Sequence, residues 1–339
     1  MKKWITRIAI ALPSVVVLAT ITGAIYETIS RTNATKEFPA PGKRVDIGNG
    51  RYIHLDCRGQ GSPVVVFESG LDSLGSLSWA AVHDSIAQTT RACAYSRAGM
   101  MWSDANDRPF SSAHVAEDLH HALNAAAEPG PYVMVGHSLG GPYLLTYTDL
   151  YGEEVAGLVL VDASHPDQVA RMRAVLGKDI GQPTGLLNFA ASIAWTGLVR
   201  VILRNEPTAP PNAPPAIQPP SAAWFPASLN SLSQEMSGLE ATMAIPKQAR
   251  KLGDRPLVVL TRSENTSAND LQQMELTPEQ GDRMDAVWRT LHDEEATWST
   301  RSRHEVVPQS AHYIQFDQPQ AVIAAVREVV EQVREKAAQ

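Results

Sequence analysis

The sequence predicts an α/β fold, with a mostly parallel sheet covered by helices on both faces. Continuous apolar runs such as Val64-Val65-Val66-Phe67 and Val155 to Val161 are typical of parallel strands buried on both faces. Segments with helical patterns separate these runs. One of them is Ser112 to Ala127, which Pro129-Gly130 ends. Gly48-Asn49-Gly50, between two short strand patterns, predicts a hairpin at the start of the sheet. Alternation of strands and helices after a hairpin predicts this layered architecture.

Length and composition fit one large α/β domain with an insertion, or two domains. The chain has 339 residues, of which 44% are hydrophobic, and this argues against global disorder. The formal net charge of −7 disfavours a polyanionic ligand, so we expect no nucleic-acid partner. The sequence contains no zinc-type Cys/His spacing, Walker loop or dinucleotide-binding glycine pattern, so we expect no cofactor and no metal.

A long proline-rich insertion, residues 164–253, interrupts the alternation of strands and helices. Such a segment is too long for an ordinary loop. We therefore expect residues 45–163 and 254–339 to form the core and residues 164–253 to form a cap or lid. Outside the insertion the pattern predicts further strands at Ala92 to Tyr95, Val133 to Val135, Arg255 to Leu260 and His304 to Val307, and helices at Trp79 to Gln88, Glu279 to Trp298 and Gln318 to Ala338.

The N-terminus has the pattern of a membrane anchor. Lys2, Lys3 and Arg7 precede the stretch from Ile8 to Tyr26, which carries no charge. As a helix this stretch is about 28 Å long, close to the hydrocarbon thickness of a bilayer. The basic flank favours a cytoplasmic N-terminus and places the rest of the chain on the extracytoplasmic side.

We therefore expect residues 1–30 to be an uncleaved anchor and residues 31–44 to be a linker. The alternative is a signal peptide with a weak cleavage site at Thr22-Gly23-Ala24, which would give a secreted protein. Only one segment is long and apolar enough to span a membrane, which excludes a membrane-spanning transporter.

The stretch Gly136-His137-Ser138-Leu139-Gly140 follows a buried strand and precedes a helical run. This is the G-x-S-x-G nucleophile elbow in the strand-turn-helix context that the motif requires. The turn is so tight that Gly136 and Gly140 have no room for a Cβ. The pattern makes Ser138 the candidate nucleophile.

On these residues the chain resembles the α/β-hydrolase family, from about Val45 to the C-terminus without the insertion. The matching stretches are Glu68-Ser69-Gly70-Leu71, Tyr95-Ser96-Arg97-Ala98-Gly99, the elbow through Gly141, and Ser310-Ala311-His312-Tyr313. The resemblance implies an eight-stranded sheet with a helical cap and an esterase-like serine hydrolase. Ser69 stands where the family commonly has histidine and Ser96 where aspartate is frequent, but neither change removes a catalytic atom.

The resemblance also implies a general base and an acid. His312 is the expected base, because it follows the last strand and lies C-terminal to the serine. The acid has two candidates. The usual position after the penultimate strand holds Asn265, with Glu264 adjacent, whereas Asp162 ends the strand that follows the nucleophile strand. We favour Asp162 and keep Glu264 as the alternative.

The expected oxyanion-hole donors are the backbone N–H groups of Leu71 and Leu139. Cys57 and Cys93 lie on strands that the fold would place side by side. They could form a disulfide outside the cytoplasm, and buried free thiols are equally compatible with the sequence.

Two functions are compatible with these observations. The first is a serine hydrolase that cleaves a carboxylic ester or related acyl bond of a small molecule through an acyl-enzyme. In it the cap residues Trp195, Trp224, Phe225 and Met236 would line an apolar acyl site. The second is a non-catalytic binding domain of the same fold displayed on a membrane.

Overall fold

The predicted sheet is present. The computed structural model describes residues 2–178 and 184–339, with side chains from Pro13 onward. Within them the strands are β1 (Lys43–Asp46), β2 (Tyr52–Arg58), β3 (Val64–Glu68), β4 (Ala92–Ser96), β5 (Tyr132–His137), β6 (Val155–Val161), β7 (Leu257–Arg262) and β8 (Ser302–Val307). They form one sheet in the order β1-β2-β4-β3-β5-β6-β7-β8. The first two pairings, β1 with β2 and β2 with β4, are antiparallel and the others are parallel, which confirms the predicted fold class.

Helices connect the strands. They are α1 (Lys2–Glu37), α2 (His83–Ala87), α3 (Ser112–Ala125), α4 (Gly140–Tyr151), α5 (Gln168–Leu176), α6 (Thr184–Ile193), α7 (Leu198–Ile202), α8 (Gln218–Ser237), α9 (Leu239–Met243), α10 (Ala268–Gln273), α11 (Pro278–Glu295), α12 (Ile314–Asp317) and α13 (Pro319–Ala337). Short 3₁₀ turns lie at Gly75–Trp79, Gly152–Glu154, Ala194–Thr196, Pro215–Ile217 and Lys247–Arg250. The helix predicted over Trp79 to Gln88 is thus shorter and follows a 3₁₀ turn.

The apolar strands bury both of their faces. In β3, Val64 and Val66 pack in one core layer with residues of α3 and α4, whereas Val65 and Phe67 pack in the other with residues of α13. Successive side chains of a strand point to opposite faces, so a continuous apolar run supplies both layers. Because β5 and β6 pair in parallel, their carboxyl ends lie together at one edge of the sheet.

The linker expected at residues 31–44 is mostly helical. α1 continues without a break to Glu37, and only residues 38–42 connect it to β1. The reason is tertiary packing, because Ala34 is buried in a cluster with Trp102 and Trp224. Of the described residues, α1 is the helix long and apolar enough to cross a membrane. The side chains of Lys2, Lys3 and Arg7, which carry the predicted orientation, lie outside what the structure describes.

The insertion between β6 and β7 contains α5 to α9. Residues 179–183 of the insertion lie outside the described part of the chain. The elements on either side of that gap pack differently, since α5 contacts α11 of the core whereas α6 contacts α8 within the cap.

Cys57 and Cys93 face each other across the antiparallel β2–β4 pair. They are joined by a disulfide, so the pairing rather than two free thiols is what the structure contains. The bond links the neighbouring strands β2 and β4 through two residues that are 36 positions apart in the sequence.

We predict that replacing both cysteines with serine lowers the free energy of unfolding by about 2–4 kcal/mol, because the cross-link restricts the unfolded chain. Denaturant unfolding of the Cys57→Ser/Cys93→Ser variant beside the wild-type protein measures this difference. The control is the wild-type protein under reducing conditions, which should resemble the variant. Alkylation of two free thiols in unreduced, denatured wild-type protein would contradict the pairing.

Candidate active site

Ser138 lies in a strained turn between β5 and α4. Its backbone φ is +51°, in the left-handed region that residues with a Cβ rarely adopt. A Cβ on Gly140 would come within 2.5 Å of the Glu68 carbonyl oxygen, and one on Gly136 within 2.8 Å of Leu144 Cδ1. The predicted absence of space at both glycines is thereby confirmed. This geometry presents the Ser138 side chain at the carboxyl edge of the sheet.

His312 lies between Ser138 and Asp162. The chain after β8 brings its imidazole to the elbow, where Nε2 is 3.0 Å from Ser138 Oγ. Its Nδ1 is 2.6 Å from Asp162 Oδ2. With Nδ1–H donating to the carboxylate, Nε2 is free to accept the serine hydroxyl proton. The three predicted side chains thus form one hydrogen-bonded row.

Asp162 is fully buried at the end of β6. Its two oxygens accept from several donors besides His312: the Arg262 backbone N–H at 3.1 Å, Arg262 Nη1 at 2.8 Å and Trp288 Nε1 at 3.0 Å. Burial alone would raise the pKa of this carboxyl, but Arg262 and His312 outweigh burial and hold the pKa of Asp162 well below its ordinary value. The carboxylate therefore stays ionised at neutral pH.

Glu264, the alternative acid, lies elsewhere. Its side chain is exposed, and its backbone N–H donates to the Ser310 carbonyl oxygen at 3.0 Å. Asn265, at the family's usual acid position, instead accepts from Arg289 at 2.6 Å. The structure therefore brings Asp162, and not Glu264, to the imidazole of His312.

Two residues that contact Asp162 were not predicted from the sequence. Arg262 ends β7, and its guanidinium bridges Asp162 and Asp285 while lying over the Trp288 ring. The position of Arg262 at the end of β7 indicates its role, because β6 and β7 are adjacent parallel strands and end at the same edge of the sheet. Trp288 comes from α11 and carries no local pattern that marks its role.

His137 supports the loop that carries His312. It is buried directly before the nucleophile, and its Nε2 lies 2.9 Å from the His312 carbonyl oxygen. Burial, together with the neighbouring His312 imidazole, lowers the pKa of His137 to about 3. A neutral His137 donates through Nε2–H and so ties the elbow to the His312 loop.

The loop that holds the predicted donor Leu71 lies against the nucleophile. A Cβ on Gly70 would be 2.9 Å from Ser138 Cβ. Leu139, the other predicted donor, follows Ser138 directly and is the N-cap of α4. Both backbone amides thus belong to segments that touch Ser138, and their role in an oxyanion hole stays a prediction.

A buried arginine holds the loop in place. Arg97 donates to the carbonyl oxygens of Ser69 at 2.8 Å and Gly70 at 2.7 Å. It also pairs with Glu68 of β3 at 2.8 Å and with Glu235 of the cap helix α8 at 2.7 Å. Because the peptide unit is planar and trans, the Leu71 N–H points opposite to the Gly70 carbonyl and so away from Arg97. The same guanidinium joins α8 of the insertion to β3 of the sheet.

The cap residues expected to line an acyl site lie in separate surroundings. Trp224 is buried against Trp102 and Ala34, whereas Phe225 packs in a cluster within the cap. Trp195 is 59% exposed. These aromatic side chains therefore do not line a common pocket.

The match to known proteins agrees with this architecture. A family model described as the alpha/beta hydrolase family covers residues 45–325. The chain belongs to this family. Membership supports a hydrolase, and the bond that is cleaved has to be argued from the site.

Solved structures of the alpha/beta hydrolase fold resemble the chain over most of its length. A thermophilic esterase from Thermogutta terrifontis superposes with a TM-score of 0.56 at 20% identity, covering 86% of this chain and 99% of the esterase. The epoxide hydrolase CorEH superposes with a TM-score of 0.59 at 17% identity, covering 86% and 99%. Identities this low show the shared fold alone.

A curated relative is much longer than this chain. The "Probable transporter efuK" of Hormonema carpetanum is 25% identical over 323 residues. The match covers 86% of this chain and 43% of the relative, so the chain spans less than half of that protein.

We predict that Arg262→Gln moves the acidic limb of the pH–rate profile of Ser138 phosphonylation to higher pH. Without the guanidinium, the pKa of Asp162 rises, and a protonated Asp162 no longer stabilises the imidazolium that forms when His312 acts as base. Labelling rates measured with a fluorophosphonate between pH 5 and about 9 test this shift.

Two matched variants control the measurement. Arg262→Lys keeps the charge and should restore most of the profile, and Arg289→Gln removes a nearby charge that does not touch Asp162. Equal displacement by Arg262→Gln and Arg262→Lys would refute the electrostatic account.

Proposed function

We propose that this protein is a serine hydrolase that cleaves a carboxylic ester or related acyl bond through an acyl-enzyme intermediate. The observation that carries the proposal is the hydrogen-bonded row of Ser138, His312 and Asp162, built on a strained elbow in a chain of the alpha/beta hydrolase family. A serine hydroxyl is a weak nucleophile by itself, and this row supplies the base that activates it.

The geometry supports a two-step reaction. His312 Nε2 takes the Ser138 proton as Oγ attacks the acyl carbon, and then returns it to the leaving alcohol. Water, deprotonated by the same nitrogen, releases the acid and regenerates the serine. Asp162 stays ionised and stabilises the imidazolium, while the backbone amides of Leu71 and Leu139 would stabilise the oxyanion.

We also propose a domain arrangement, with residues 45–163 and 254–339 as the catalytic core and 164–253 as its cap. The contacts of Arg97 with both core and cap support a cap that closes over the oxyanion loop. The substrate in this account is a small acyl compound, and the cap shapes the space above Ser138.

We propose further that α1 anchors the catalytic domain to a membrane on the extracytoplasmic side. Its length and apolar character support the anchor, and the Cys57–Cys93 disulfide fits an oxidising compartment. The packing of Gly23 against Thr196 supports an uncleaved helix, because cleavage at Thr22-Gly23-Ala24 would remove that contact. A secreted form is the alternative.

The test is labelling of the full chain, purified in detergent, with a fluorophosphonate probe. We predict one adduct per chain, located by peptide mass spectrometry on Ser138, and no adduct in His312→Ala. Folded protein that takes up no probe would favour the non-catalytic binding domain.

The same assay separates the two acids. Asp162→Asn should slow the labelling of Ser138 by on the order of a thousandfold, because the imidazole then lacks its orienting carboxylate. Glu264→Gln, the matched control at an exposed position, should label at the wild-type rate. The reverse order of effects would move the acid role to Glu264.

A further inference from the structure

A segment of the cap, residues 184–202, presents an apolar surface to solvent. We call it the apolar cap segment. Its exposed large side chains are Leu186 79%, Phe189 60%, Trp195 59%, Leu198 49%, Val201 57% and Ile202 64%. Helix α6 within it has no buried residue. Among the described residues, all but four of the exposed large apolar side chains lie on this segment or on α1. A contiguous patch of this kind marks a surface that is covered in the working protein.

The apolar cap segment lies directly against α1. At Gly23 the two backbones are so close that a Cβ would come within 2.1 Å of the Thr196 carbonyl oxygen. A Cβ on Gly197, where φ is +73°, would likewise come within 2.7 Å of the Gly23 carbonyl oxygen. Between the two elements runs an apolar groove of about 890 Å³, lined among others by Val15, Leu18 and Tyr26 of α1 and by Phe189, Leu198 and Val201.

The positions of the charged residues indicate how deep the groove would lie in a bilayer. Residues 184–199 carry no charge, and the next residue, Arg200, pairs bidentately with Glu27 at 2.7 Å. Glu27 is also the first charged residue after the apolar stretch of α1. The uncharged stretches of the two elements therefore end at the same ion pair, and Val201 and Ile202 follow Arg200 in the chain. From this ion pair the groove runs along α1 towards its N-terminus, from Tyr26 to Val15. This part of the helix is about 16 Å long, close to half the hydrocarbon thickness of a bilayer.

We propose that the apolar cap segment is embedded beside α1 in one leaflet of the membrane, with lipid acyl chains filling the groove. The inference rests on the proposed anchoring of α1 and not on the proposed chemistry of Ser138. Lipid is the occupant that the geometry favours, because the surface continues that of a helix whose own apolar side chains need lipid. The cap is then held at the membrane by two elements, the anchor and its own surface.

Spin labels test this arrangement in the full chain reconstituted into phosphatidylcholine vesicles. Because the native cysteines are paired, single introduced cysteines are labelled selectively. The reporters are Phe189→Cys and Leu198→Cys on the apolar cap segment. Leu18→Cys on α1 controls for membrane insertion, and Val306→Cys, an exposed apolar position on β8, controls for water exposure. Collision rates with oxygen and with a water-soluble nickel chelate are measured for each label.

We expect labels at positions 189 and 198 to collide mainly with oxygen, as the label at 18 does, and the label at 306 to collide mainly with nickel. If 189 and 198 behave like 306 while 18 remains in lipid, the embedding is wrong and the anchor stands. If 18 also meets nickel, the anchor itself fails and the inference falls with it. Spin–spin broadening at 189 that disappears on dilution with unlabelled chain would assign the surface to a second copy instead. None of these outcomes depends on whether Ser138 is reactive.

Discussion

Asp162 places a carboxylate in the interior, where an isolated charge is strongly disfavoured. The charge is tolerated because the donors of Arg262, Trp288 and His312 converge on its two oxygens. These donors come from β7, α11 and the loop after β8, so one carboxylate fixes three elements that are far apart in the sequence. Removing one partner of such a buried pair typically costs about 3–5 kcal/mol. The position of the His312 imidazole, and with it the reactivity proposed for Ser138, depends on this arrangement.

Buried or nearly buried ion pairs also connect the cap to the rest of the molecule. Arg97 joins the loop of Ser69 and Gly70 to Glu235 of α8, and Arg200 of α7 pairs with Glu27 of α1. Because bidentate guanidinium–carboxylate pairs have strict geometry, each one fixes an orientation as well as a distance. The insertion is thereby oriented on two sides, by one pair at the loop beside Ser138 and by the other at α1.

The local parts of this structure could be predicted from the sequence. The elbow around Ser138 is one example. Its strained turn requires glycine at positions 136 and 140, and this requirement is local to the turn. The sheet was similarly accessible, since strands buried on both faces have continuous apolar runs.

The long-range contacts could not be predicted in this way. Arg262 and Trp288 are 100 and 126 residues from Asp162, and their pairing is set by how β7 and α11 pack on β6. The choice between Asp162 and Glu264 was open for the same reason. Residues 31–37 were expected to be a linker, but burial of Ala34 against two tryptophans keeps them helical, which a local pattern does not reveal.

Trapping the acyl-enzyme is the most direct test of Ser138 as the nucleophile. The full chain is mixed with a p-nitrophenyl ester, quenched in acid before the steady state, and analysed by intact and peptide mass spectrometry. We predict that one acyl group is bound per chain, on Ser138, and that it is absent from Ser138→Ala. Turnover of the ester with no acyl adduct, or with the adduct on another residue, would contradict it.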